Sequence, residues 1–288
     1  MANLRDIKRR IKSVRNTSQI TKAMQMVASA KMRRAQELAL KGRSYISALA
    51  NVLRHLGASI QEASSPLMQR REHGRTLVIV INTDKGLCGA LNANLLRDVL
   101  RDCPADADYI TIGSKLRSTL QRMGRKVTHG FSVSDSMEEG ELKPIFEIVR
   151  TGFEQGEYNR VLVAFQKFIN VMVQRPQIMA LLPVTPEELL EVAAQDDIED
   201  TDSVNFLLEP SPTALLASIL PLYVTNHLVQ MALEGKASEQ SARMVAMKSA
   251  TENAKTLIGE LTLEYNKARQ TQITNELLEI TTAMKAME

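Results

Sequence analysis

Apolar residues recur every three or four positions at both ends of the chain. The N-terminal series comprises Leu4, Ile7, Ile11 and Val14 and, after a polar interval, Ile20, Met24 and Val27. The C-terminal series comprises Met244, Met247, Thr251, Ala254, Ile258, Leu261, Tyr265 and Ala268, followed by a second phase at Ile273, Leu277, Ile280, Met284 and Met287. This spacing predicts two helices with narrow apolar seams that pair as a coiled coil.

Glycine and proline, which interrupt helices, are nearly absent from these two ends. Residues 4–41 contain neither, and residues 236–288 contain only Gly259. A helix of about 50 residues is about 75 Å long, which exceeds a small globular domain. Each helix is therefore expected to project or to pair. Two ordinary amphipathic helices packed on a globular core are the alternative explanation of the pattern.

Small residues occupy several seam positions where a stable coiled coil would have bulky ones. Thr251, Ala254 and Ala268 are examples. Such a coil is slender and only modestly stable by itself. We therefore expect another protein to enclose part of its outer surface.

The middle of the chain alternates between two periodicities. The predicted strands are residues 76–82, 109–112, 127–129 and 160–165, with a possible edge strand at 177–182. The predicted helices between them are residues 92–102, 114–122 and 141–153. Alternation of this kind indicates a small doubly wound, Rossmann-like parallel sheet.

These patterns predict an α/β protein in which a long antiparallel coiled coil of the chain ends accompanies the sheet domain. The predicted division is an N-terminal helix at 1–60, an α/β domain at 74–190, an acidic connection at 191–209 and a C-terminal helix at 210–288. Residues 187–202 carry eight acidic side chains and no basic one, which is typical of a solvated connection.

Composition limits the class of protein. Of the 288 residues, 4% are aromatic, none is Trp and 14 are Met, which favours long helices over a β-sandwich. The 44% apolar content excludes a wholly disordered chain, and no uncharged apolar stretch approaches the length of a membrane span. Cys88 and Cys103 lie in no CxxC pair, which favours a reducing compartment.

One turn could bind phosphate, because Gly-containing turns from strand to helix present backbone amides. Residues 84–92 (DKGLCGALN) form such a turn but match neither known glycine-rich nucleotide motif. A structural turn is the favoured interpretation, and a nucleotide site stays as the alternative. The four histidines (55, 73, 129 and 227) have no carboxylate or thiol at ligand spacing, so no metal or catalytic site is expected.

The N-terminal helix is strongly basic. Residues 1–43 carry twelve basic and two acidic side chains, a net charge of +10 in a chain whose total is +3. A basic helix can bind nucleic acid, an anionic membrane or an acidic protein, or can form a transit peptide. We favour a protein partner lined with carboxylates, since no nucleic-acid motif or cleavage-like break is present.

Three segments together resemble the gamma subunit family of F-type ATP synthases. The first is residues 16–36 (NTSQITKAMQMVASAKMRRAQ), and the second is residues 83–92 (TDKGLCGALN). The third comprises residues 239–248 (EQSARMVAMK), 263–270 (LEYNKARQ) and 273–277 (ITNEL). The resemblance covers both ends and the middle of the chain.

The resemblance implies a left-handed antiparallel coil with an α/β domain at its base, and a subunit without catalytic activity or cofactor. In this family a single copy forms the central shaft inside a ring of three alpha and three beta subunits. The epsilon subunit and the membrane ring of c subunits contact the base, and rotation couples proton flow to ATP synthesis. ATP and Mg²⁺ bind to the ring of alpha and beta subunits.

The resemblance also assigns candidate contact residues. Those implied to face the beta subunits or to affect coupling are Lys22, Met24, Val27, Arg243, Arg269, Gln270 and Thr274. Those implied to face the c ring and epsilon are Phe206 and Glu209.

Two departures from the family pattern carry expectations of their own. Residues 279–284 (EITTAM) lack the glycines that usually end the family, which favours helix to the C-terminus. No cysteine-containing insert is found near residues 190–210, so control by thiols is not expected. A bacterial protein bound peripherally to the cytoplasmic face of the plasma membrane is the favoured origin, with no nucleic-acid partner and no inserted segment.

Overall fold

The computed structural model describes residues 4–59, 65–134, 139–185, 189 and 211–287. Its helices are α1 (Leu4–Ser59), α2 (Leu91–Asp102), α3 (Arg117–Arg122), α4 (Glu139–Glu154) and α5 (Pro212–Met287). Its strands are β1 (Arg75–Ile81), β2 (Asp108–Ile112), β3 (Lys126–Phe131), β4 (Tyr158–Phe168) and β5 (Gln174–Leu182). One compact unit comprises Met1–Ala28 with Arg243–Glu288, and the other comprises Ser29–Ala242.

The second unit contains a five-stranded sheet in the order β3-β2-β1-β4-β5. Strands β1 to β4 pair in parallel, with helices in the connections between them, which confirms the predicted α/β fold. The edge strand β5 instead pairs antiparallel with β4. Only residues 169–173 separate these two strands, and a parallel crossover needs a dozen or more residues. The sheet is therefore mixed, where the sequence predicted a parallel one.

Both faces of the sheet are covered, because its central strand β1 is a continuous run of apolar residues. On one face Val78 and Val80 pack in a cluster with Leu95 and Val99 of α2. On the other face Leu77 and Ile79 belong to a larger cluster, to which α1, α4 and α5 contribute. A strand that is buried on both sides is what the unbroken run of β-branched residues predicts.

The expectation that no stretch approaches the length of a membrane span is wrong by composition, because helix α5 is long and apolar enough to contain one. Its apolar residues Leu220, Val224 and Leu228 are instead fully buried in the core that faces the sheet. Core helices of soluble proteins satisfy the same criteria of length and composition, so this property is weak evidence for a membrane span.

A buried carboxylate lies at the edge of the sheet where the parallel strands begin. Asp108 opens β2 and is only 1% exposed. Arg75 Nη1, from the start of β1, lies 3.0 Å from its Oδ2, and Lys126 Nζ, from the start of β3, lies 3.0 Å from its Oδ1. Arg75 also pairs with Glu157 at 2.7 Å. Ion pairs therefore connect the first residues of three neighbouring strands.

The first unit is the pair formed by residues 4–28 of α1 and residues 243–287 of α5. The predicted C-terminal seam is confirmed from Met244 to Ala268, since these residues are buried or half-buried while their neighbours are mostly exposed. The prediction that residues 273–287 continue the seam is wrong, because every residue from Arg269 to Met287 is exposed.

The N-terminal seam departs from the prediction after Val14. Ile20 and Val27 are exposed, while Ser18, Thr21 and Ala28 are buried. These buried positions continue the alternating steps of three and four residues that begin at Leu4, so the repeat is unbroken in register. The predicted seam instead followed the apolar residues Ile20 and Val27. It therefore lies one position before the observed seam, which is formed there by Thr21 and Ala28.

Candidate partner-binding surface of the coiled coil

A pair of threonines lies at the centre of the coil. Thr21 Oγ1 and Thr251 Oγ1 are 2.7 Å apart, and both residues are buried. Thr251 Oγ1 also donates to Met247 O at 2.8 Å. Thr21 Oγ1 likewise lies 3.1 Å from Ser18 O. Each hydroxyl therefore has a backbone acceptor on its own helix, and either hydroxyl can donate to the other. A buried polar pair of this kind favours one register of two helices over its neighbours.

Double substitution of this pair by valine is expected to leave the coil nearly as stable as the native one. Thr21→Val or Thr251→Val alone should cost about 1 kcal/mol, because one partner of a buried hydrogen bond is lost, whereas replacing both partners by apolar groups is nearly neutral. The coupling energy is measurable by hydrogen exchange of residues 18–25 and 247–255 in the four proteins of the cycle. Thr256→Val is the control, since Thr256 is exposed on the same helix. Additive single effects would contradict the assigned bond.

The C-terminal part of α5 extends beyond its partner helix. Leu4, where α1 begins, lies 17 positions before Thr21, so its antiparallel counterpart lies 17 positions after Thr251, at Ala268. Residues 269–287 continue as helix for about 28 Å, and we call them the overhang. The overhang exposes several large apolar side chains, which are Ile273, Leu277, Leu278, Ile280, Met284 and Met287. A helix with this much exposed apolar surface is typical of a protein-binding segment.

Three of the residues singled out from the sequence lie in the overhang. Arg269, Gln270 and Thr274 are all exposed on α5. Thr274 Oγ1 donates to Gln270 O at 2.9 Å within the helix, so its hydroxyl can accept a further hydrogen bond from outside. Gln270 lies 19 residues beyond Thr251, about 28 Å along the helix.

The other singled-out residues are distributed elsewhere. Lys22 and Val27 are exposed on α1, and Met24 is half-buried. Arg243 is buried, with only 7% of its surface exposed. The structure therefore brings the predicted residues into two separate groups, one along α1 and one in the overhang. Phe206 and Glu209 lie outside the described residues.

Some exposed apolar residues on the coil were not predicted from the sequence. Ile20 is 60% exposed, Met26 is 66% exposed and Leu263 is 73% exposed. Ile20 was placed in the seam, and the other two were not considered. A strict count of the heptad from Leu4 through Ser18 and Thr21 would have placed Ile20 outside the seam.

Basic side chains accompany this apolar surface. The exposed ones on α1 are Arg5, Lys8, Arg9, Arg10, Lys12, Arg15, Lys22, Lys31, Arg33, Arg34 and Lys41. Arg9 pairs with Asp6 on the helix surface at 2.8 Å, an exposed contact worth little. A surface that combines apolar residues with a positive field is suited to a protein partner that carries carboxylates.

The glycine turn after β1 is held by hydrogen bonds within the fold. Asp84 Oδ1 accepts from Ser114 N at 3.0 Å, and its Oδ2 accepts from Ser132 Oγ at 3.1 Å. Gly89 has φ of 60°, a conformation that favours glycine. Leu87 adopts φ of 63° and is exposed, which is unusual for a branched side chain. The carboxylate of Asp84 therefore joins the turn to the residues that follow β2 and β3.

The crevice where doubly wound folds bind nucleotides is filled by the chain itself. That crevice lies at the carboxyl ends of strands where their order reverses, which here is between β1 and β4. Gly235, Lys236 and Glu239 of α5 line it together with Asn82 and Gln166. The remaining cavity is about 10 Å³, room for about one water molecule. This favours the structural interpretation of the turn over a nucleotide site.

Other chemistry-bearing side chains in the described part of the chain do not form a site. Within it, no three His, Cys, Asp or Glu side chains are grouped so that they could hold a metal ion. Burial raises the pKa of the Cys103 thiol to about 11, which leaves little reactive thiolate near neutral pH. Burial of most of the ring lowers the pKa of His227 to about 4, so this histidine is neutral near pH 7.

Comparison with known sequences finds one family. Residues 3–287 match the sequence model of a family described as ATP synthase. The ATP synthase gamma chain of Akkermansia muciniphila is 59% identical over 291 residues and is covered completely, as is this chain. The ATP synthase gamma chain of Methylacidiphilum infernorum is 42% identical over 294 residues, again with both chains covered completely.

Solved structures with a similar fold come from ATP synthases as well. A chain of the Euglena gracilis mitochondrial ATP synthase, in a structure of OSCP, F1 and c-ring, has a TM-score of 0.67 at 20% identity and covers 99% of this chain and 94% of its own. A chain from the central stalk and c-ring of the Tetrahymena thermophila enzyme has a TM-score of 0.60 at 25% identity, covering 80% of this chain and 99% of its own.

Proposed function

The chain belongs to the gamma-chain family of ATP synthases, and on this premise we propose that it transmits rotation within the enzyme as its central stalk. It is a non-catalytic subunit, and its relatives are gamma chains of bacterial F1, which is part of a membrane-associated complex. One copy would lie inside a ring of three alpha and three beta subunits. The epsilon subunit and the membrane c ring would contact the opposite end.

The observation that carries this proposal is the overhang with its exposed apolar residues. A single helix that exposes Ile273, Leu277 and Ile280 to water is unfavourable by itself, and enclosure by a ring of partners removes that exposure. Few strong bonds to any one partner are expected on a rotating shaft, because each bond must break at every step.

We propose two groups of contacts with the beta subunits. Lys22, Met24 and Val27 form the group on α1, and Arg269, Gln270 and Thr274 form the group in the overhang. Arg243 is proposed to affect coupling, from a buried position on α5. Hydrogen bonds to charged groups, once a partner encloses them, contribute roughly 1.5 to 3 kcal/mol each, strong enough to position a partner and weak enough to exchange.

The remaining assignments concern the base of the stalk. We propose that residues 1–60 and 210–288 supply the shaft helices, that residues 74–190 form the base domain, and that residues 191–209 connect them. Phe206 and Glu209 are proposed to face the c ring and epsilon. Proton flow through the c ring would turn the stalk, and the complex would lie on the cytoplasmic face of a bacterial plasma membrane.

Co-purification tests the proposed function directly. The chain would be expressed with an affinity tag in its native host, and the proteins recovered with it would be identified by mass. We expect alpha and beta subunits in threefold molar excess over the chain, because three copies of each form the ring. ATPase activity should appear in the complex and be absent from the purified chain alone.

Two alternatives give different results in the same preparation. A nucleotide-binding enzyme would bind ATP as a purified chain, with micromolar affinity lost on substitution of Gly86 and Gly89. A nucleic-acid binder would co-purify with DNA or RNA, and its affinity for the nucleic acid would fall steeply as the salt concentration rises. Recovery of the chain alone, without alpha and beta subunits, would overturn the rotary proposal.

A further inference from the structure

A polar stretch of α5 is buried on every side of the helix. It comprises Lys236, Ala237, Ser238, Glu239, Gln240 and Ser241, all of which are buried, and we call it the enclosed segment. Six residues span more than one and a half helical turns, so their side chains point in all directions around the axis. Five of the six are polar, and buried polar groups require hydrogen-bond partners within the fold.

Two serines of the enclosed segment bond to the hairpin formed by β4 and β5. Ser238 Oγ donates to Gln166 O at 2.9 Å, and Ser241 Oγ donates to Val171 O at 2.7 Å. Gln174 Nε2 donates to Ser241 Oγ at 3.4 Å. Both serines have no exposed surface. The helix is thus held at two points, three residues apart on one of its faces, by carbonyls at the end of β4 and in the following turn.

Next to the enclosed segment, helix α5 also lies close to the central strand β1. A Cβ atom on Gly235 would lie 3.1 Å from Ile81 Cγ2, so glycine allows α5 to approach the end of β1 closely. Gln166, whose carbonyl receives Ser238, donates through Nε2 to Leu91 O at 2.8 Å. Within the enclosed segment Lys236 Nζ lies 3.6 Å from Glu239 Oε2. The carboxyl end of β4 is therefore bonded both to this part of α5 and to the start of α2, and α5 lies close to the end of β1.

Directional bonds matter here because they resist rotation of a helix about its axis more sharply than apolar burial does. Burial of apolar surface depends on area and has little dependence on direction. Hydrogen bonds weaken steeply when donor and acceptor move out of line. Two hydroxyl bonds to carbonyls on a neighbouring hairpin fix both the rotation and the axial position of the helix.

We propose that the enclosed segment is the rigid joint through which torque passes between the sheet and α5, with Ser238 and Ser241 as its positioning residues. The inference rests on the proposed rotary function and adds the place where torque passes between the sheet and α5. Loss of the two hydroxyls would leave the apolar packing in place and make the joint more compliant.

Torsional stiffness of the stalk in the assembled enzyme tests the proposal. The ring of alpha and beta subunits would be fixed to a surface and a bead attached through Ser118→Cys, an exposed position on α3. Angular fluctuations of the bead would be compared for the native chain, the double variant Ser238→Ala and Ser241→Ala, and the control Ser249→Ala. Ser249 is an exposed serine of the same helix. We expect stiffness to fall by about twofold in the double variant and not in the control, because two directional bonds are lost.

If the double variant is as stiff as the native chain, the proposal that the enclosed segment is a rigid joint is wrong. If the double variant fails to assemble, the single variant Ser241→Ala answers the same question, and native stiffness there would also overturn it. A native chain that does not assemble with alpha and beta subunits would instead contradict the proposed function. That failure is detected in the co-purification before any variant is made.

Discussion

Gln270→Leu is expected to lower ATP-driven proton pumping by about tenfold in the assembled enzyme. Gln270 is exposed in the overhang, and its proposed role is a hydrogen bond to a beta-subunit loop. Loss of one such bond costs about 1.5 kcal/mol, which corresponds to about tenfold in a rate or equilibrium constant. Gln and Leu have similar helix propensities, so the overhang should stay helical.

The measurement is acidification of inverted membrane vesicles on addition of ATP, normalised to ATP hydrolysis in the same vesicles. Gln272→Leu is a matched control, because Gln272 is exposed two positions further along and its Nε2 donates to Glu276 Oε1 at 2.8 Å within the helix. An equal loss in both variants would assign the effect to the general polarity of the overhang. Unaltered pumping in Gln270→Leu would remove Gln270 from the proposed contacts.

The double variant Arg75→Met and Lys126→Met is expected to destabilise the sheet by about 3 kcal/mol. It leaves the carboxylate of Asp108 buried without either of its cations. Breaking a buried ion pair by removal of one side costs about 3–5 kcal/mol. We take the lower end of that range because Arg75 and Lys126 are themselves partly exposed, at 44% and 60%.

Hydrogen exchange of the amides of β1 and β2 measures this free energy. Addition of Asp108→Asn to the double variant should restore much of the loss, because the buried charge is then removed. Arg101→Met is the control, since Arg101 pairs with Asp102 on the exposed surface and no measurable change is expected. A triple variant that is no more stable than the double one would show that packing, and not the buried charge, causes the loss.

The long helices and the strands of the sheet could be predicted from the sequence. The absence of glycine and proline at the chain ends predicted α1 and α5, and the run at residues 76–82 predicted β1. The confirmed seam from Met244 to Ala268 was read from spacing of three and four residues. These features depend on residues close together in the chain, where periodicity and propensity act directly.

The buried face of the N-terminal helix could not be predicted from the pattern of apolar residues alone. Apolar residues at Ile20 and Val27 were taken for the seam, while Ser18 and Thr21 occupy it. Which face of α1 is buried depends on the partner helix, and the Thr21–Thr251 contact joins residues 230 positions apart. The resemblance to gamma chains gave the family, which the comparisons confirm, but the contact residues it assigned stay proposals.

The sequence by itself determined the helical chain ends, the alternating α/β middle and the basic character of α1, because each is a property of neighbouring residues. The tertiary structure alone decided that Lys236–Ser241 is enclosed and that α5 fills the nucleotide crevice. A polar helical segment is expected to face water, and nothing within it indicates otherwise. Its burial depends on contacts with the ends of β1 and β4, more than 65 residues earlier in the chain.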